Sequence, residues 1–358
     1  MNTCTQIMSA AVVAWLCTAA WSSAQVEPEG NLNLLVSNDL LVPPGSYRGD
    51  DIVFRNRIGG MSFTATADII ALSRVGPHSF TLLTNGAGGS EALNANDLQF
   101  ETRTGPKLSL IIDKILFGCD LELGYMAVDG FSLSQTVRGN PAAPLFFNTP
   151  LGNIESLRPR MIPGQVYPFF MLADPDVRFN YISRIYSAEA NLRYSGGGLF
   201  SLLAGFRYVD LHEQLTATLQ DSALSPFITS NTDNHMYGAQ IGAEMGMPIG
   251  KFHLAGIAKA GAFSNQADLT LYGGDEGTAV GGVKGQLAFL GEVDLIGSYC
   301  ITDNIAVRLG YQAMWLSGVA VAVDQLDMSN GPTPPAWHPN TQSSLFYHGA
   351  FLGLEISF

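Results

Sequence analysis

Eleven charged residues sit at alternate positions inside otherwise apolar-patterned segments, and their placement defines the chemistry open to this chain. Seven are acids (Asp68, Glu122, Glu189, Glu244, Glu292, Asp294, Glu355) and four are bases (Arg193, Arg207, Lys259, Arg308). In an extended strand, residues two apart share a face. Each of these charges therefore falls on the polar face of a strand whose other face is greasy. Gathered round a lumen, such a set lines a passage for small hydrophilic solutes. Seven acids against four bases predict a weak preference for cations. The same residues can instead pair off and fill the lumen, which leaves a scaffold that conducts nothing.

Nucleophilic and metal chemistry have no comparable signal. There is no Gly-x-Ser-x-Gly elbow and no His-Glu-x-x-His. The six histidines, His78, His212, His235, His253, His338 and His348, are scattered, and His212-Glu213 has no partner motif. No catalytic residue, metal or cofactor is expected. An outer-membrane lipid-modifying enzyme stays as a minor third reading, since Ser and His on neighbouring strands need no linear motif.

The elements that must carry the charges are strands. Leu121, Leu123, Tyr125 and Ala127 alternate with Asp120, Glu122 and Gly124. Tyr186 to Tyr194, Phe200 to Tyr208, Tyr237 to Met245, Leu287 to Tyr299 and Val307 to Trp315 repeat the pattern, and Phe63 to Ala71 opens it. The terminal strand is the clearest: Leu352, Leu354, Ile356 and Phe358 on one face, Phe351, Gly353, Glu355 and Ser357 on the other. A strand ending on an aromatic residue in this way predicts an outer-membrane β-barrel and, as a partner, the barrel-assembly machinery. A weaker strand covers 252–263, and three more are expected near 79–84, 96–103 and 107–114. The expected fold is all-β: a transmembrane, antiparallel, up-and-down barrel of about 12 strands, with 10–14 allowed.

Connections support this. Gly196-Gly197-Gly198, Pro248-Ile249-Gly250 and Thr302-Asp303-Asn304 read as tight periplasmic turns. They alternate with links expected to be long and external, near 211–234, 264–285 and 317–344. The longest, about 130–180, is rich in proline and is expected to cap or enter the mouth. Tyr194 and Tyr299 should mark one membrane interface, and Tyr186, Tyr237 and Trp315 the other.

Composition agrees. The chain is 47% hydrophobic and only 14% charged, against about 25% charged in ordinary soluble domains. Residues 1–24 read as a signal peptide cut near Ala24, with 25–61 as a periplasmic lead-in or small plug and 62–358 as the barrel. The net charge of -13 argues against nucleic acid. Outer-membrane lipid and small hydrophilic solutes are the expected partners, and a homo-oligomer is allowed. Cys119 and Cys300 fall at one rim on separated strands, too far apart for a bridge.

Four segments resemble a known family. These are Phe63-Thr-Ala-Thr-Ala-Asp-Ile-Ile-Ala-Leu-Ser-Arg74, Gly205-Phe-Arg-Tyr-Val-Asp-Leu-His-Glu213, Leu309-Gly-Tyr-Gln-Ala-Met-Trp-Leu-Ser-Gly-Val-Ala320 with Asp324-Gln325, and His348-Gly-Ala-Phe-Leu-Gly-Leu-Glu355. In that order they resemble strands of the putative beta-barrel porin-7 family of planctomycete-type bacteria and, less closely, Legionella-type major outer-membrane proteins. Phe63 stands where the family carries a Trp-type aromatic. The resemblance implies a porin-like outer-membrane barrel and brings no substrate and no catalytic residues. A non-conducting barrel that acts in surface recognition through its external loops is the alternative.

Overall fold

The computed structural model describes residues 62–358 apart from 77, 86–88, 140–144, 150–151, 156–175, 196–198, 220–227, 274–277 and 328–336. The expected signal peptide and lead-in, the Gly196-Gly197-Gly198 turn and much of the 130–180 loop therefore lie outside the described residues.

The described strands, in chain order, are β1 (Phe63–Arg74), β2 (Thr81–Asn85), β3 (Ser90–Asn94), β4 (Arg103–Leu116), β5 (Cys119–Val137), β6 (Leu145–Thr149) and β7 (Gly152–Glu155). They continue with β8 (Val177–Ser195), β9 (Phe200–Leu219), β10 (Ile228–Ile249), β11 (Phe252–Gly273), β12 (Thr278–Cys300), β13 (Ile305–Val319) and β14 (Ser343–Ser357). Ten of them close a barrel in the order β1-β14-β13-β12-β11-β10-β9-β8-β5-β4. All neighbours are antiparallel. Closure leaves no strand edge to face lipid, where an unpaired amide is costly. At the closing seam Thr64 lies opposite Ser357, and the pairing runs to Arg74 opposite Tyr347. The Phe63 N–H donates to the Phe358 carbonyl at 2.8 Å, the Phe358 N–H donates back at 2.9 Å, and the two rings stack at 5.8 Å.

The wall has ten strands rather than twelve because two expected segments leave it. The segment near 79–84 becomes β2, which joins β3, β6 and β7 in a separate four-stranded sheet. The segment near 96–103 is not a strand at its start: Asn94 and Asp97 form a capping box that turns Ala95–Asp97 into a 3-10 helix. The small sheet adds its own apolar side chains, among them Leu83, Leu93 and Phe147, to a cluster with Phe131, Phe179 and Tyr347 of the wall. It thus covers the mouth opposite the short turns.

The lower half of the wall follows the alternation. Ile69, Leu202, Phe206, Ile241, Leu295, Leu309, Leu352 and Leu354 project outward as exposed large apolar side chains. Above Tyr208 and Tyr237, whose rings meet at 4.8 Å, the phase reverses. On β9, Val209, Leu211, Leu215 and Ala217 are fully buried inside, while Asp210, His212, Gln214 and Thr216 take the outer face. The expected links near 211–234 and 264–285 are for this reason mostly strand: β9 runs to Leu219 and β10 starts at Ile228, β11 runs to Gly273 and β12 starts at Thr278. These four strands are 20–23 residues long, about twice what a bilayer needs. Their upper parts stand in water and enclose a dry core.

A cation placed on either outer zone separates them. Ile241→Arg, at a position 62% exposed in the apolar zone, is expected to cost about 2–4 kcal/mol. Gln214→Arg, above Tyr208, is expected to change stability by less than about 0.5 kcal/mol. Urea unfolding in phospholipid vesicles measures both, and equal losses would contradict the two-zone wall.

Candidate functional site

All eleven charges named from the sequence border one cavity of about 140 Å³ inside the lower barrel. Strand alternation puts them there: on each strand the neighbours above and below face outward. They meet across the lumen. The Lys259 Nζ lies 2.5 Å from Glu189 Oε1 and 3.2 Å from Glu122 Oε1. Arg193 pairs with Glu244 and stands 3.8 Å from Glu122. The Arg207 Nη1 is 2.8 Å from Glu292 Oε2 and 3.7 Å from Glu189 Oε2, and its Nε donates to Ser187 Oγ at 2.8 Å. Gln240 donates to Glu189 and Asn191 at 2.7 and 2.8 Å. Arg308 lies 3.9 Å from Asp68 and 3.6 Å from Glu355.

Sequence reasoning did not count three further members, Lys107, Asp113 and Asp120. Lys107 of β4 reaches across to Asp294 Oδ2 at 2.7 Å and lies over the Phe351 ring at 4.6 Å. Pro106 directly before it blurred the strand pattern, although a lysine at that alternation was the available signal. The cavity is therefore bordered by nine acids and five bases. Buried charges of this kind need partners, because desolvation is expensive. The pairing supplies them and crosses the lumen as it does so. A cavity of about 140 Å³ holds several waters but falls short of the roughly 300 Å³ of ordinary ligand pockets.

The upper lumen is filled by the chain itself. At the end of β13, Gly318 adopts φ +81°, and the register against β14 shifts between Ser317 and Val319. A Cβ at Gly318 would lie 2.5 Å from the Leu287 carbonyl oxygen, so only glycine suits this bulge. From there the chain turns inward. Val319 through Val323 are fully buried, and Asp324, Gln325 and Leu326 nearly so. Ser230, Asn234 and Asn265 on the far wall hold this stretch by hydrogen bonds to Ala322, Ala320 and Gly318. Further along, the Gln325 side chain bonds the main chain of Val321 and Asn340. Asp324 accepts from Ser343 and lies 3.1 Å from His78 Nδ1. Burial pushes the Asp324 carboxyl above the usual carboxylate range, against the pull of the Ser343 hydrogen bond and of His78.

One buried ion pair links two wall strands, β1 and β9, and its carboxylate also holds the stopper. Arg74 Nη1 and Glu213 Oε1 are 2.5 Å apart, both side chains fully buried. Glu213 also accepts from Tyr181 at 2.5 Å, Ser183 at 3.2 Å and the Ala322 N–H at 3.0 Å. Arg74 lies over the Phe100 ring at 4.6 Å. None of this was named from the sequence. Glu213 sits among Leu211, Leu215 and Ala217 on an apolar face, and a lone carboxylate at such a position was the signal.

Among the described residues no group of three His, Cys, Asp or Glu is placed to hold a metal. Asp210 and His235, and Asp233 and His212, form two carboxylate–imidazole pairs at 2.8 and 2.5 Å, but they lie on the outer face above the lipid zone and away from the lumen.

The chain is similar in structure to the outer membrane protease OmpT of Escherichia coli (12% identity, 83% of this chain and 97% of that one, TM-score 0.45). It is also similar to the toluene transporter TodX of P. putida (11%, 86% and 92%, TM-score 0.24) and to an anion-selective porin from Comamonas acidovorans (11%, 83% and 98%, TM-score 0.16). At TM-scores below 0.5 none of the three carries an argument about this chain. No curated protein matches. The putative beta barrel porin-7 family matches residues 172–358, more than half of the sequence and the whole of the wall from β8 onward, and the chain belongs to that family.

Proposed function

We propose that this chain is a porin-like barrel of the bacterial outer membrane, exported by a leader cut near Ala24 and shut at rest. It passes small hydrophilic solutes, with a weak preference for cations, when the 318–327 segment leaves the lumen. The observation that carries this reading is the stopper held inside a lumen whose own lining is polar. A barrel built only as a scaffold needs no cavity for several waters lined by fourteen charges. The excess of acids supports the cation preference, and pairing keeps it small. Access for a solute requires the stopper to move first, because the upper lumen is dry.

Planar-bilayer recording tests the reading. Wild-type protein is expected to show no steady conductance. A variant with 319–327 replaced by a Gly-Ser linker of equal length is expected to give discrete steps. In that variant, Glu292→Gln with Asp294→Asn should move the reversal potential toward anions in a salt gradient, and an unmoved potential would defeat the charge assignment. Silence from the linker variant would reject the channel. It would leave the non-conducting surface-recognition barrel, which the apolar cap of β2, β3 and β6 over the mouth favours.

A further inference from the structure

The far end of the stopper meets the approach to the cap through one imidazole. His78 lies on the link that carries the chain from β1 of the wall to β2 of the small sheet. Its Nδ1 is 3.1 Å from Asp324 Oδ1, and its Nε2 is 3.7 Å from Asp327 Oδ2. The two aspartates bracket a single 3-10 turn, Asp324–Leu326, with Asp327 as its C-cap. The Phe80 ring backs the imidazole at 5.2 Å, and Phe80 packs against the buried apolar cluster. The imidazole is thus held in place while it still meets water: the His78 side chain is 48% exposed and that of Asp324 only 2%. Ser343 donates to the other Asp324 oxygen. The further charges that act on Asp324 are Glu213 and Arg74, which already face each other as an ion pair. His78 is therefore the cation that answers the Asp324 carboxylate from a position water can reach.

Histidine is the side chain whose ordinary charge change falls between about pH 5 and 8. A buried carboxylate that loses its cation is costly. In mildly acidic medium the imidazole carries its proton, and the contact with Asp324 is an ion pair. As the pH rises through about 6.5 that charge goes, and Asp324 is left in a dry site with neutral donors. Burial already pushes the Asp324 carboxyl above the usual carboxylate range, so in stronger acid its own protonation undoes the pair from the other side. We propose that His78 is a pH-operated clasp on the stopper, closed in mildly acidic medium and loosened as the medium turns alkaline. This rests on the reading that the stopper can leave the lumen, and it adds what releases it.

The test reads the position of the stopper and not current. In the full chain with Cys119→Ser and Cys300→Ser, Val321→Cys places a thiol on the stopper. A second chain carries Thr270→Cys instead, exposed on the outer face of β11 above the lipid zone. A water-soluble maleimide labels each protein in detergent. The ratio of the two rates cancels the effect of pH on thiol chemistry and measures how often the stopper leaves. With His78 in place the ratio is expected to rise at least fivefold from about pH 5.5 to about pH 8.5. With His78→Gln it should already be high at the lower pH and change less than twofold. Asp324→Asn should flatten the profile in the same way, and each variant is first shown to keep the heat-modifiable gel mobility of a closed barrel. A ratio that stays flat with His78 in place overturns the proposal. So does a rise that survives His78→Gln, which would assign the titration to another group. Labelling does not read conductance. A stopper that loosens with pH in a barrel that never conducts keeps the clasp and rejects the channel, and a conducting barrel with a flat profile does the reverse.

Discussion

Arg74→Met is expected to lower folding stability by about 3–5 kcal/mol, the range for removing one partner of a buried ion pair. Arg74 and Glu213 are both shut off from water, and the replacement leaves the Glu213 carboxyl without its cation in a dry core. Tyr181, Ser183 and the Ala322 N–H still donate to it, yet neutral donors do not balance a whole charge. The contact of the guanidinium with Phe100 is lost as well. Methionine fills much of the volume, so the loss reports charge more than cavity. Glu213→Gln added to Arg74→Met should restore most of the stability, since the amide keeps an acceptor without the charge. Urea unfolding of the refolded protein measures the cycle. A single variant within 1 kcal/mol of wild type, or a double variant no better than the single, would show that the pair is not the anchor described.

The second large effect lies at the closing seam. Gly349 of β14 faces Leu72 of β1, and a Cβ there would sit 1.9 Å from the Ala71 carbonyl oxygen and 2.9 Å from the Leu72 Cα. Both atoms are main chain and cannot rotate aside. Gly349→Val is therefore expected to cost about 3 kcal/mol or more, the upper end for overpacking. The variant should lose the heat-modifiable migration of a closed barrel. Gly256→Ala is the matched control: its nearest neighbour is the Leu295 Cδ2 at 3.7 Å, an ordinary contact, and its migration should not change. Normal closure by Gly349→Val would mean that the β1–β14 register differs from the one described.

The lower half of the wall was legible because it obeys one rule throughout, greasy outside and polar within. Leu354 and Glu355, or Leu295 and Asp294, state it within two residues. Above Tyr208 the rule inverts, and a reader expecting one phase sees Asp210, His212 and Gln214 as the start of a loop. The alternation of Val209, Leu211, Leu215 and Ala217 was there to be read, with its meaning reversed. The stopper was harder. Gly318-Val-Ala-Val-Ala-Val323 fell within the link expected to be external near 317–344, and what turns it inward is a bulge at Gly318 with partners on three distant strands. The Arg74–Glu213 pair has the same character: its members lie on strands that meet only after closure, so spacing along the chain carries no trace of it.

The joining of β1 to β14 has a temporal consequence. Thr64 and Ser357 are 293 positions apart, nearly the largest separation the wall permits. Ribosomal synthesis delivers the first partner long before the second. The earliest strand must wait, unpaired and adhesive, until the last one has been made. The seam between β1 and β14 is thus the last part of the wall that can form.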